Sequence, residues 1–131
     1  MPEMVAKHTQ GVASVIQTRG HQVQVDAPQE MGGQDTGATP VELLTGALGS
    51  CIIYFVARWA QGAGLPYEGM EVRLDYVLDM AAHCVPVINV TVHMPPGFPQ
   101  DRKEALLRVA ETCTVHNTLC SPPRIQVTAG S

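Results

Sequence analysis

The chain has 131 residues, 45% hydrophobic and 15% charged, with a formal net charge of −4 and four cysteines. That length suits a single domain, 1–131, with a real core, and eight unclustered Lys and Arg residues speak against a nucleic-acid footprint. So little charge on so apolar a chain leaves surface for a second subunit to cover.

Residues 1 to 10 show no periodicity and read as a loose lead-in without the basic and apolar segments of an export signal. A cytoplasmic location is expected, where cysteines are reduced or redox-active rather than a structural disulfide frame. Val12 to Thr18 has strand composition, Arg19-Gly20 supplies turn chemistry, and His21 to Ala27 alternates through Val23 and Val25, which predicts a hairpin. Residues 27 to 38 hold Pro28, Gly32, Gly33, Asp35 and Gly37 with almost no apolar content. A loop of that length in a small domain has a task or lies against a partner.

A helix follows. Thr39 is the predicted N-cap, Pro40 fits the first helical position, and Glu42 completes a capping box. Leu43, Leu44, Leu48, Ile52, Tyr54, Phe55, Val56 and Trp59 cover nearly every face, so protein should enclose this helix on all sides until Gly62-Ala-Gly64 ends it. Its uncharged stretch, Leu43 to Ala57, is shorter than the roughly 20 residues of a membrane span and reads as a core helix, so no membrane partner is expected.

From Gly69 to Met80, apolar Met70, Val72, Leu74, Tyr76 and Leu78 alternate with Glu71, Arg73, Asp75 and Asp79, which predicts a strand with one wet face. Val85 to Met94 is its hairpin partner, with Pro86 forcing an edge or a bulge at its start. Pro95 to Pro99 stops that strand, and helical spacing resumes at about Gln100 through Leu106, Val109, Ala110 and Cys113. A continuous helix and a break at Cys113 are both compatible with the residues. Ser121-Pro-Pro123 ends the helical region, and Arg124 to Ala129 reads as a last strand. The element order is that of an α+β protein.

Cys51 and Cys113 each sit among small or apolar residues, and together they point to a paired-thiol site. A buried cysteine is otherwise a small hydrophobe. Cys84, beside His83, and Cys120 read as incidental. His116 is either a thiol-tuning imidazole or a structural one, and Asn117 reads as a backbone cap. His83, Cys84, Cys113 and His116 match no metal-ligand spacing. No metal and no cofactor are expected.

The stretches Gly37-Ala-Thr-Pro40, Glu42-Leu-Leu44, Ala47-Leu-Gly-Ser-Cys51, Cys113-Thr-Val-His-Asn-Thr-Leu119 and Pro122-Pro123 resemble the family of osmotically induced protein C and organic hydroperoxide resistance proteins, which are thiol peroxidases. The resemblance runs from the loop near Gly32 to the end of the chain, and two separated motifs occur in the family's order. It implies an OsmC-like fold in which antiparallel sheets wrap central helices, and an intertwined homodimer. It also implies that Cys51 is the peroxidatic thiol and Cys113 its resolving partner, with a small organic hydroperoxide as substrate and a dithiol, including lipoylated proteins, as reductant. The family activates its thiol with an Arg oriented by a Glu directly after the motif Pro. Here that position is Val41, Arg19 is the leading candidate for the cation, and Arg58 and Arg124 are the others. The competing expectation from Val41 is a non-catalytic OsmC-like dimer that binds a small apolar ligand or partner.

Overall fold

The structure, a computed structural model, describes residues 3–130, which divide into two compact units meeting in sequence at Leu44 and Thr45. The first unit is a three-stranded antiparallel sheet of β1 (Val5–His8), β2 (Ser14–Thr18) and β3 (His21–Val25), in that spatial order. β2 and β3 form the expected hairpin, with Thr18 opposite His21. Arg19 and Gly20, at φ 47° and 82°, make its two-residue turn. Positive φ at both positions is what a type I′ turn needs to match strand twist.

β1 corrects the expectation of a loose lead-in, whose residues 1 and 2 lie outside the described residues. Val5 to His8 pair in register with Gln17 to Ser14. All four are exposed, so burial imposes no alternation on them and periodicity has nothing to report.

After β3 the loop is organised by Asp26. Its buried carboxylate accepts hydrogen bonds from the Thr36 hydroxyl at 2.7 Å and from the Thr36 and Gln34 amides at 3.1 Å each. Those donors hold the carboxyl at about 2, well below its ordinary 3.8, with the Thr36 hydroxyl contributing most. Gly37 passes so close to the preceding strand that a Cβ there would lie 2.5 Å from the Gln24 carbonyl oxygen. Val25 and Ala38 then form a parallel bridge.

Helix α1 (Pro40–Ala63) starts as the sequence dictates. The Thr39 hydroxyl accepts from the Glu42 amide at 3.1 Å, and the Glu42 carboxylate accepts from the Thr39 amide at 2.8 Å. It ends at Gly64, φ 67°, where Leu65 N–H donates to the Ala60 carbonyl and Gly64 N–H to that of Gln61. This is the Schellman arrangement, which gives the Ala60 and Gln61 carbonyls their partners.

In the second unit, residues 45–63 of α1 pack on a hairpin of β4 (Glu71–Asp79) and β5 (Cys84–His93) and on the helical segment that follows. Leu48, Ile52, Val56, Phe98, Leu106, Ala110 and Cys113 form the core, and the inward residues of β4 and β5, among them Val72, Leu74, Ile88 and Val92, lean on it. Gly49 lets α1 approach the sheet, since a Cβ there would meet Leu74 Cδ1 at 2.6 Å. The expected irregularity at Pro86 is present. Val77 pairs with Val87 and Asp79 with Cys84, so β5 carries one extra residue across from Leu78.

α1 is long and apolar enough by length and composition to span a bilayer, and one stripe of it makes the core described here. Enclosure on every side is not observed. Ile53 and Tyr54 are exposed, the latter by 57%. The last expected strand is also absent: residues 122–130 form no ladder among the described residues, and Ile125 and Val127 are 77% and 89% exposed. An apolar alternation marks where a strand can form, but the strand needs a partner edge.

Candidate functional site

The helical region after β5 is broken at its middle. A 3-10 turn at Gln100–Arg102 leads into α2 (Lys103–Ala110), and α3 (Thr114–Cys120) starts afresh after Cys113. Cys113 has extended backbone, φ −69° and ψ 153°, and its sulfur accepts from the His116 amide at 3.3 Å. It therefore acts as the N-cap of α3, a role that serine or threonine commonly fills. Of the two alternatives the sequence allowed, the break is the one observed. Asn117 Nδ2 donates to the Thr112 carbonyl at 3.3 Å, which ties the end of α2 to α3 and fulfils the capping role expected of it.

This break brings the two thiols together. Cys51, 64 positions before Val115, accepts from the Val115 amide at 3.5 Å. Cys113 lies fully buried in the core cluster against which Cys51 packs, and both are free thiols. Two successive amides of α3's first turn thus address two different sulfurs. Burial pushes the Cys113 thiol upward from its ordinary value, and the neighbouring Cys51 raises it further, while the His116 and Val115 amides act in the opposite direction. The result favours the protonated form of Cys113. Cys51 is only half-buried and is the sulfur a reagent reaches first.

The three arginines named from sequence are placed differently. Arg58 lies two turns after Cys51 on α1, where its guanidinium donates to the Tyr54 hydroxyl at 3.3 Å and stacks 5.9 Å from that ring. Arg124 lies in the exposed C-terminal segment. Among the described residues of the second unit, no guanidinium hydrogen-bonds either sulfur. Arg19 belongs to the first unit, at the left-handed position of the β2–β3 turn.

His83, φ 52°, and Cys84 form the turn and first residue of β5, and Cys84 is exposed. Among the described residues no three His, Cys, Asp or Glu side chains converge to hold a metal ion. Two contacts escaped the sequence reading. The Val115 amide acts through its backbone, which leaves no trace in residue type. Cys120, read as incidental, sits 3.8 Å from Nε2 and 3.9 Å from Nδ1 of His116, and the four-residue spacing within a helix was the available signal.

A family model described as OsmC-like protein matches residues 33–128. Among curated proteins, none matches by sequence. Solved structures similar to this chain include a candidate osmotic-stress-induced and detoxification-response protein from Psychrobacter arcticus 273-4. It has 16% identity and a TM-score of 0.83, with 90% of this chain and 88% of that one covered. An OsmC-like protein from Mycoplasma pneumoniae follows at 16% identity and TM-score 0.79, covering 93% and 89%. The organic hydroperoxide resistance protein OhrB of Bacillus subtilis has 17% identity and TM-score 0.60, covering 93% and 92%. At these identities the likeness establishes the α+β fold with its antiparallel sheets.

Proposed function

The chain belongs to the OsmC-like protein family, and on that premise we propose that it is a thiol-dependent peroxidase reducing organic hydroperoxides to alcohols through Cys51 and Cys113. The observation that carries this reading is the convergence of a half-buried Cys51 and a fully buried Cys113 on two successive amides, those of Val115 and His116. Cys51 attacks the terminal oxygen of the hydroperoxide, the O–O bond breaks, and the departing alkoxide takes a proton to leave as the alcohol. Cys51 is left as a sulfenic acid. Cys113 sulfur then attacks the Cys51 sulfur, the S–S bond forms, and the hydroxyl leaves as water. An external dithiol returns both to the reduced state by exchange.

Several features support the assignment of roles. Cys113 is shielded from solvent and held protonated, which suits a group that waits for an intramolecular partner. Apolar surroundings favour organic over hydrogen peroxide. Relatives by fold include a protein named for organic hydroperoxide resistance. Arg19 is our choice for the activating cation. Its φ of 47° is a conformation that Gly or Asn would adopt at lower cost, so holding an arginine there favours a use for its side chain. A homodimer is supported by the uncovered Tyr54 on α1 and by the unpaired apolar segment at Ile125 and Val127.

Intact mass and free-thiol count after one equivalent of an alkyl hydroperoxide test the proposal. Loss of two thiols, mapped to a Cys51–Cys113 disulfide, is expected, and a chain that keeps both thiols sinks it. Val41, where the family has Glu, favours a second reading, a non-catalytic dimer holding a small apolar ligand or partner, and among the described residues of the second unit no guanidinium hydrogen-bonds either sulfur. Alkylation at neutral pH separates the two. A Cys51 as slow as free cysteine supports binding, and a fast one supports catalysis.

A further inference from the structure

We propose that Cys120 and His116 form a second nucleophilic site, distinct from the Cys51–Cys113 pair, which adds neutral alkyl-chain α,β-unsaturated aldehydes. The site lies on a groove of about 470 Å³ walled by apolar side chains of α1, β5, α2 and α3, among them Leu48, Ile52, Ile88, Leu107 and Leu119. His116, Cys120 and Glu111 bring polar atoms to that apolar wall. The Cys120 sulfur is nearly equidistant from the two ring nitrogens of His116, 3.8 and 3.9 Å, so a small ring rotation brings either nitrogen onto the S–H.

Cys120 does not pair with Cys113. It ends α3, seven residues after Cys113. At ~1.5 Å of rise per residue the two lie about 10 Å apart along the helix, whereas a disulfide needs Cα atoms within about 7 Å. The contacts of Cys120 are with His116 and the groove. A sulfur nucleophile with an adjacent imidazole can complete an addition that has no leaving group. His116 takes the thiol proton, the Cys120 sulfur bonds to the β-carbon, and the C=C electron pair moves to the α-carbon. That carbon then recovers the proton from His116. No electron donor or acceptor is needed, and the product is a thioether-linked aldehyde. The apolar walls select an alkyl tail, and the Glu111 carboxylate at the groove disfavours a tail that ends in a carboxylate.

The test uses the reduced wild-type chain with trans-2-nonenal and with acrolein, each adduct being assigned by site-resolved mass spectrometry. Cys84 is the internal reference, exposed and with no imidazole on its sulfur among the described residues. With nonenal, Cys120 should react at least about tenfold faster than Cys84, as a positioned general base provides, and acrolein should shrink that preference. His116→Gln should lower the Cys120 rate by about tenfold. Leu107→Trp, which fills the groove at an exposed position, should slow nonenal and leave acrolein unaffected. Equal labelling of Cys84 and Cys120 by nonenal, or an unchanged rate in His116→Gln, overturns the assignment. Leu107→Trp with both aldehydes unaffected overturns the groove as the binding element, whatever the folding of the histidine variant.

Discussion

The amide of Val115 meets the sulfur of Cys51 at 3.5 Å, and the next amide, that of His116, meets the sulfur of Cys113 at 3.3 Å. Two thiols from distant parts of the chain are thus gathered by one turn of backbone. Each N–H favours negative charge on the sulfur it addresses, but Cys113 is so deeply buried that desolvation overrides the amide there and raises its pKa.

Cysteine reactivity should follow that arrangement. In the native reduced protein, iodoacetamide at pH 8 is expected to label the exposed Cys84 and Cys120 and the half-buried Cys51, and to leave Cys113 untouched until denaturant is added. Peptide mapping reads the order, and early labelling of Cys113 contradicts its burial.

Cys113→Ser should separate the two steps of the proposed reaction. One equivalent of hydroperoxide still oxidises Cys51, but no disulfide closes, so a dimedone-reactive sulfenic acid accumulates and excess oxidant carries it to the sulfinic level. Cys51→Ser should consume no hydroperoxide. A Cys113→Ser protein that loses two thiols as readily as wild type would point to a different resolving partner.

Acid should loosen the loop organised by Asp26. Its folded pKa, about 2, lies below the ordinary 3.8, so the unfolded chain binds the proton more readily. The stabilisation is complete above about pH 4 and is lost as pH falls toward 2. Asp26→Asn should lower the urea midpoint at pH 6 and flatten its decline between pH 4 and 2. A variant with the wild-type acid slope would place the sensitivity elsewhere.

Two substitutions probe the frame around the site. Thr39→Ala removes the hydroxyl that caps α1 and should cost about 1 kcal/mol in urea unfolding, because the Glu42 amide then turns to water. Gly37→Ala should cost more, roughly 1–3 kcal/mol, since its Cβ is 2.5 Å from the Gln24 carbonyl oxygen and backbone must move. A Gly37→Ala protein as stable as wild type would show that the loop yields freely.

What could be read from residues alone was whatever is dictated locally. The capping box of Thr39 and Glu42, the stop at Gly64, the alternation from Val72 to Tyr76 and the extra residue at Pro86 all arise within a few positions of chain, and all were legible. β1 was missed because Val5 to His8 carry exposed side chains and are held by backbone pairing to β2. The expected strand at Arg124 to Ala129 failed for the complementary reason, an apolar alternation without an edge to join. At the site, the pairing of Cys51 with Cys113 was anticipated through motifs. The break that creates it was left open, because Thr114 after Cys113 fits both a continuous helix and a new one.

The use of a cysteine where a helix start commonly has a hydroxyl carries a structural cost for any oxidation at that residue. A Cys113 side chain turned toward a new covalent partner would withdraw the acceptor that receives the His116 N–H, leaving the opening turn of a seven-residue helix to the Asn117 N–H on the Cys113 carbonyl and the Asn117 side chain on that of Thr112. Oxidation at that sulfur would then loosen residues 114–117, and hydrogen exchange there would gauge the thiol state.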